Sequence, residues 1–137
     1  MRLLAVFGAL LLTCAISDAR TVRAVIYFRG WYAESFVAVT PDGLRDMARS
    51  CPNIRRTVSG GRLQSLLSVL DLQRMQAKRG LCSQNTNFVV DLFESSGARH
   101  SYRADGLYLC SIDNSSSRPT DKPFLRYFED LFFHPKT

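Results

Sequence analysis

The first nineteen residues constrain this chain most, because they have the pattern of a secretory signal peptide. Arg2 gives a positively charged start, residues 3–16 form an apolar run, and residues 17–19 end on a small side chain. The run is shorter than the roughly 20 residues that a membrane-spanning helix needs. Cys14 follows a threonine rather than the small residue typical of a lipoprotein site, so we interpret it as part of the apolar run. We predict cleavage directly after this segment and export of residues 20–137 to the periplasm or the medium.

The exported part has the size of one domain. It contains 118 residues, enough for a single hydrophobic core. It carries 17 basic and 11 acidic side chains, a net charge of +6. This excess of positive charge favours anionic partners through long-range attraction. The alternative is that the charge serves only to keep the protein soluble. We therefore expect one soluble domain without a membrane span.

Three cysteines remain in the exported part, so an oxidising compartment leaves one disulfide and one odd thiol. The β-prone segments Asn87–Glu94 and Arg99–Ala104 flank a glycine-containing turn and predict a hairpin. Folding the chain about that turn places Cys82 and Cys110 nearly opposite each other, within reach of a disulfide. We predict that these two cysteines are bonded. Cys51 is then the odd thiol, and we interpret it as a small buried hydrophobic residue.

The segment before Cys51 predicts an antiparallel start to the sheet. Val22–Phe28 and Glu34–Val39 are rich in β-branched and aromatic residues, and they indicate a first hairpin. Residues 40–43 read Thr-Pro-Asp-Gly, which favours a turn followed by a third strand over Leu44–Arg49. The alternative is a helix that Thr40 caps, with proline in its first position. We expect Pro52–Gly61, which follows, to be irregular.

Two amphipathic stretches predict helices. The first begins after Gly61 and ends by Gly80, with leucines at helical spacing. The second is opened by Asp121 and presents a wide aromatic face that must pack on the sheet. The residues of the two apolar faces are Leu63, Leu66, Leu67, Leu70 and then Phe124, Leu125, Phe128, Leu131, Phe132. We predict a single α+β domain, an antiparallel sheet of four to five strands with two helices packed on one face and one disulfide.

Few residues of the exported part are suited to catalysis. His100 alternates with arginines beside a turn, and His134 lies close to the end of the sequence. The cysteine and histidine spacings match no compact zinc pattern. A small secreted hydrolase that uses Cys51 with His100, or a carboxylate pair such as Asp91 and Glu94, remains an alternative. We expect a non-catalytic protein without metal or cofactor.

Binding is better supported by the sequence. Trp31 and Tyr32 lie in a loop between β-prone segments, where exposed aromatic side chains often anchor a partner. The alternative is that Trp31 folds back over the sheet edge. Arginines near the anchors would steer an anionic partner, which we expect to be another protein or an anionic envelope component rather than nucleic acid. The predicted partner-binding arginines are Arg55, Arg56, Arg99 and Arg103.

The order of the predicted elements resembles that of small bacterial exported domains of the emfourin type, which inhibit metalloproteases. The similarity rests on residues 22–39, on the leucine-rich stretch 63–70 and on residues 88–102. Emfourin-type domains carry Ser-Gly-Gly near the first strand, whereas this chain has it at residues 59–61, so no site residue is transferred. The resemblance implies an exported inhibitor, protective or recognition protein. The alternatives are the small hydrolase and an envelope-associated structural protein that binds an anionic polymer.

Overall fold

Six antiparallel strands form one sheet in the computed structural model, which describes residues 20–33, 35 and 37–134. The strand order across the sheet is β2-β1-β3-β4-β5-β6. The predicted signal peptide lies outside the described residues. The strands are β1 (Thr21–Phe28), β2 (Arg55–Ser59), β3 (Phe88–Glu94), β4 (Arg99–Ala104), β5 (Tyr108–Ser111) and β6 (Ser117–Pro119). The helices within the described residues are α1 (Pro41–Ser50), α2 (Gly61–Leu70) and α3 (Lys122–Phe133), with short 3₁₀ turns at Pro52–Ile54 and Leu72–Arg74.

The main hydrophobic core lies between one face of the sheet and helices α2 and α3. Successive residues of a strand point to opposite faces, so Ile26 and Val90 face this core while Val25 and Asp91 face the other side. Helix α1 covers that other side, where Arg45 of α1 bonds to Asp91. The core side chains include Phe28, Leu63, Leu66, Leu70, Phe88, Phe124, Phe128 and Phe132.

The sheet and helix counts expected from the sequence need correction. The α+β class and the antiparallel sheet are confirmed, but the described residues form six strands rather than four or five and three helices rather than two. The helices also lie on both faces of the sheet. Strand β2 occupies the stretch that we expected to be irregular, and the three-residue β6 carries too little pattern to predict.

Helix α1 replaces the predicted turn and third strand over Leu44–Arg49. The Thr40 hydroxyl accepts a hydrogen bond from the Gly43 N–H at 3.0 Å, and Pro41 takes the first helical position. This is the alternative that the sequence left open. None of the described residues within 34–39 is in a strand; instead, Val39 exchanges hydrogen bonds with the loop before β3, through the Asn85 side chain and the Thr86 N–H.

Helix α2 ends at Leu70, ten residues before the predicted glycine cap. Asp71 adopts the left-handed conformation with φ 47°, which stops the helix. The buried Arg118 guanidinium donates hydrogen bonds to the Val69 and Leu70 carbonyls at 2.8 Å each. A long-range side chain therefore satisfies the helix end that the sequence assigned to a local cap.

The predicted hairpin and disulfide are both confirmed. Strands β3 and β4 pair from Phe88↔Ala104 to Phe93↔Arg99, and Cys82 is bonded to Cys110 across a Cα–Cα distance of 6.3 Å. The strand that carries Cys110 differs from the one expected. The chain reverses after β4, so that Cys110 lies on β5 beside Arg103 rather than on an extension of the hairpin.

Removal of the disulfide in the C82S/C110S variant is expected to lower the free energy of unfolding by about 3 kcal/mol, because the crosslink restricts the unfolded chain over a separation of 28 residues. Urea unfolding followed by circular dichroism measures this loss. Cys51, which we expected to be buried, is exposed and free. Cys51→Ser is therefore the control, and it should leave the unfolding midpoint unchanged. Equal stability of the double variant and the wild type would contradict the prediction.

Candidate functional site

The two predicted aromatic anchors have different surroundings. Trp31 is 6% exposed, its indole N–H donates to the Leu125 carbonyl at 3.0 Å, and its own carbonyl accepts from the Asn87 side chain at 2.9 Å. Its ring packs against those of Phe28, Phe88, Phe124 and Phe128. Trp31 thus belongs to the core and has little surface left for a partner. Tyr32 is 89% exposed and remains available.

The four predicted arginines do not form one patch. The strand register places Arg55 and Arg103 in one row across β2, β1, β3 and β4, on the α1 side of the sheet. Three strand spacings, about 14 Å in all, separate them. Arg103 is half-buried, its guanidinium donates to the Ser83 carbonyl, and burial lowers its pKa. Arg99 is exposed on the same face of β4, also far from β2.

Arg55 and Arg56 lie together on β2, a strand at the edge of the sheet. Their side chains point to opposite faces, because they are consecutive strand residues. The Arg55 side chain is exposed on the α1 face, with no ion pair among the described residues. The Arg56 guanidinium lies 4.9 Å from the centre of the Phe132 ring and donates to the Asn53 and Arg55 carbonyls. Both faces of this edge therefore carry a positive charge.

This edge belongs to a longer basic stretch that the sequence patterns did not predict as a site. Residues 47–70 contain four arginines and no aspartate or glutamate. Arg49 lies in the last turn of α1, Arg55 and Arg56 are the first two residues of β2, and Arg62 lies in the first turn of α2. We call these four arginines with strand β2 the basic edge. The absence of acidic residues over this stretch is visible in the sequence and was the signal that could have found it.

A cleft of about 350 Å³ opens on the α1 side of the basic edge. Tyr27 and Arg55 form its sheet wall, and the α1 wall consists of Arg45, Asp46, Ala48 and Arg49. Arg49 and Asp46 approach only to 3.8 Å and both are largely exposed, so their ion pair is weak. The cleft therefore offers the Arg49 and Arg55 guanidinium groups to an anionic side chain.

Arg45 fixes α1 against the sheet rather than serving as a free cation. Its guanidinium donates to both carboxylate oxygens of the buried Asp91, at 2.7 and 3.1 Å, and to Asp42 at 2.7 Å. Ser101 on β4 donates to Asp91 at 2.6 Å. The hydrogen bond with Asp91 raises the pKa of Arg45 above its ordinary value, so this charge stays paired.

The residues of the hydrolase alternative are not brought together. His100 contacts the Glu94 carboxylate at 2.7 Å on the surface, whereas Cys51 precedes β2, which β1 and β3 separate from β4. Asp91 and Glu94 point to opposite faces of β3. Within the described ranges, no three histidine, cysteine or acidic side chains cluster as a metal site would require.

In comparisons with known proteins, no protein-family model, curated protein or solved structure matches this chain. Among the described residues, no helix has the length and apolar character needed to cross a membrane.

Proposed function

We propose that this protein is an exported, non-catalytic recognition module that binds an acidic macromolecular partner through the basic edge. The observation that carries the proposal is the acid-free stretch 47–70, whose four arginines lie in or next to a single edge strand, with Arg49 and Arg55 lining the cleft beside it. The Cys82–Cys110 disulfide supports export, because such bonds persist in oxidising compartments. As an inhibitor or protective protein, the module would act by occupying the partner's surface.

The chemistry of the basic edge suits carboxylates. A guanidinium presents a planar fork of N–H donors that matches a carboxylate in two parallel hydrogen bonds. Arg49 and Arg55 are exposed, are not tied to a buried acid, and flank the same cleft. The net charge of +6 adds a field that attracts an acidic partner from a distance. The partner is therefore expected to be acidic, and its association to weaken with salt.

The R49E/R55E variant tests this proposal. Its affinity for poly-L-glutamate, measured by isothermal titration calorimetry in low salt, is expected to fall about tenfold or more, because two attractive contacts become repulsive. The matched control is K78E/R79E, which makes the same change in net charge at exposed positions near β6, the strand at the opposite edge of the sheet. Control affinity should stay within about threefold of wild type. Equal losses in both variants would show that net charge alone acts, and would refute a localised site.

A further inference from the structure

The backbone of β2 has one side without a strand partner. The Arg55 N–H donates to the Pro52 carbonyl, so the backbone of Arg55 points away from β1. Because backbone groups alternate along an antiparallel strand, Thr57 and Ser59 also point away from β1, whereas Arg56 and Val58 bond to it. The N–H and C=O groups of Thr57 and Ser59 have no hydrogen-bond partner among the described residues.

The strand at the opposite end of the sheet order, β6, has its outward backbone groups covered. The Ser117 N–H donates to the Gln76 carbonyl and its carbonyl accepts from the Gln76 N–H, both at 2.8 Å. Pro119, at the end of β6, has no N–H to offer. The sheet therefore presents open backbone groups at β2, where the arginines lie, and covered ones at β6.

We infer that β2 is a docking strand that takes up an extended acidic segment of a partner protein as a seventh strand. An added strand uses main-chain hydrogen bonds for affinity and its alternating side chains for specificity. Side chains on the α1 face of such a strand would approach Arg55 and Arg49, and those on the other face would approach Arg56. Acidic residues at alternate positions therefore fit the α1 face best. This inference rests on the proposed function, since it assigns the partner's conformation at the same basic edge.

The charge of the edge also selects against a second copy of this chain. Pairing two β2 strands would bring Arg55 and Arg56 of both copies, each part of a protein with net charge +6, to one interface. Like charges at a strand edge are a known protection against edge-to-edge association. The same arginines attract an acidic strand, so we assign an acidic segment of a partner as the occupant.

The test uses an eight-residue peptide of alternating glutamate and threonine and the full exported chain. Thr57→Pro removes the outward N–H at the centre of β2 without breaking a bond to β1, and Thr57→Val keeps that N–H. We expect about tenfold weaker peptide binding for Thr57→Pro and wild-type binding for Thr57→Val, since lost main-chain bonds and steric conflict act together. Amide hydrogen exchange on the wild type is the second measurement, and Thr57 and Ser59 should become protected when the peptide binds.

The outcomes separate this inference from the proposed function. Unchanged exchange at Thr57 and Ser59, with peptide binding that still requires Arg49 and Arg55, would overturn strand addition and leave the acidic recognition site standing. Failure of the wild type to bind either the peptide or poly-L-glutamate would overturn both. A dimer in sedimentation that protects the same amides without peptide would show that a second copy occupies the edge, against our assignment.

Discussion

The Trp31→Ala variant is expected to lose about 3 to 5 kcal/mol of its free energy of unfolding, the usual cost of deleting a buried tryptophan side chain. Trp31 is 6% exposed and lies among four phenylalanine rings, with centroid distances between 4.6 and 6.5 Å. Truncation leaves a cavity in this cluster and removes the donor to the Leu125 carbonyl. Urea unfolding is followed by far-ultraviolet circular dichroism in both proteins, because the variant has no tryptophan whose fluorescence could report unfolding.

Tyr32→Ala is the matched control, since its ring is 89% exposed and its neighbour in sequence is the buried Trp31. Its free energy of unfolding should stay within about 0.5 kcal/mol of wild type. The prediction for Trp31 fails if Trp31→Ala unfolds at the wild-type urea concentration. A variant of unchanged stability that bound poly-L-glutamate much more weakly would instead make Trp31 a partner anchor, as its position in a loop first suggested.

The position of Trp31 shows why an aromatic residue in a loop is hard to place from sequence. Its local surroundings, Gly30 on one side and Tyr32 on the other, are the same for an exposed ring and a buried one. The bonds that turn it inward come from Asn87 and Leu125, 56 and 94 residues away. Nothing within its own loop determines its burial, so only the folded chain can separate the two interpretations.

The elements predicted correctly are those with strong local signals. Alternating residues flank a glycine turn in the hairpin of β3 and β4, and Asp121 caps α3 by accepting from the Phe124 N–H at 2.9 Å. The disulfide was predicted through a hairpin geometry that nearly holds, although Cys110 reaches Cys82 from β5. A correct pairing can therefore follow from incomplete topology when both partners lie near the same end of a hairpin.

The composition of the basic edge is visible in the sequence, but its position at the edge of the sheet is not. The sequence shows Arg55 and Arg56 in a basic stretch, and it also shows that residues 47–70 contain no aspartate or glutamate. The pairing of β2 with β1, which makes this stretch a sheet edge, depends on contacts about thirty residues apart, such as Val25↔Thr57. The sequence prediction placed Arg99 and Arg103 with Arg55 in one binding surface, because the order of the strands in the sheet is not visible in the sequence. The register separates them by two intervening strands.

The sequence also left α1 undecided between a turn and a helix, and the ion pair between Arg45 and Asp91 supplies the long-range contact that local signals lack. Thr40 caps the helix, but its ten residues are too few for a stable isolated helix in water. Leu44 and Ala48 bury its apolar side, and Arg45 ties it to the centre of β3. The cleft of the basic edge exists only while α1 is held there, because four of its lining residues belong to this helix.

Asp91→Ala is therefore expected to lower the free energy of unfolding by about 3 to 5 kcal/mol, the range for removing one partner of a buried ion pair. The Asp91 side chain is 3% exposed and that of Arg45 is 16% exposed, so the guanidinium left behind cannot be fully rehydrated. Asp42→Ala removes the other carboxylate bound to Arg45, which is 90% exposed, and should cost less than about 1 kcal/mol. Urea unfolding measures both, and amide exchange should show α1 opening more often in Asp91→Ala alone. Similar losses in the two variants would mean that Asp91 does not anchor α1, and the cleft would need another support.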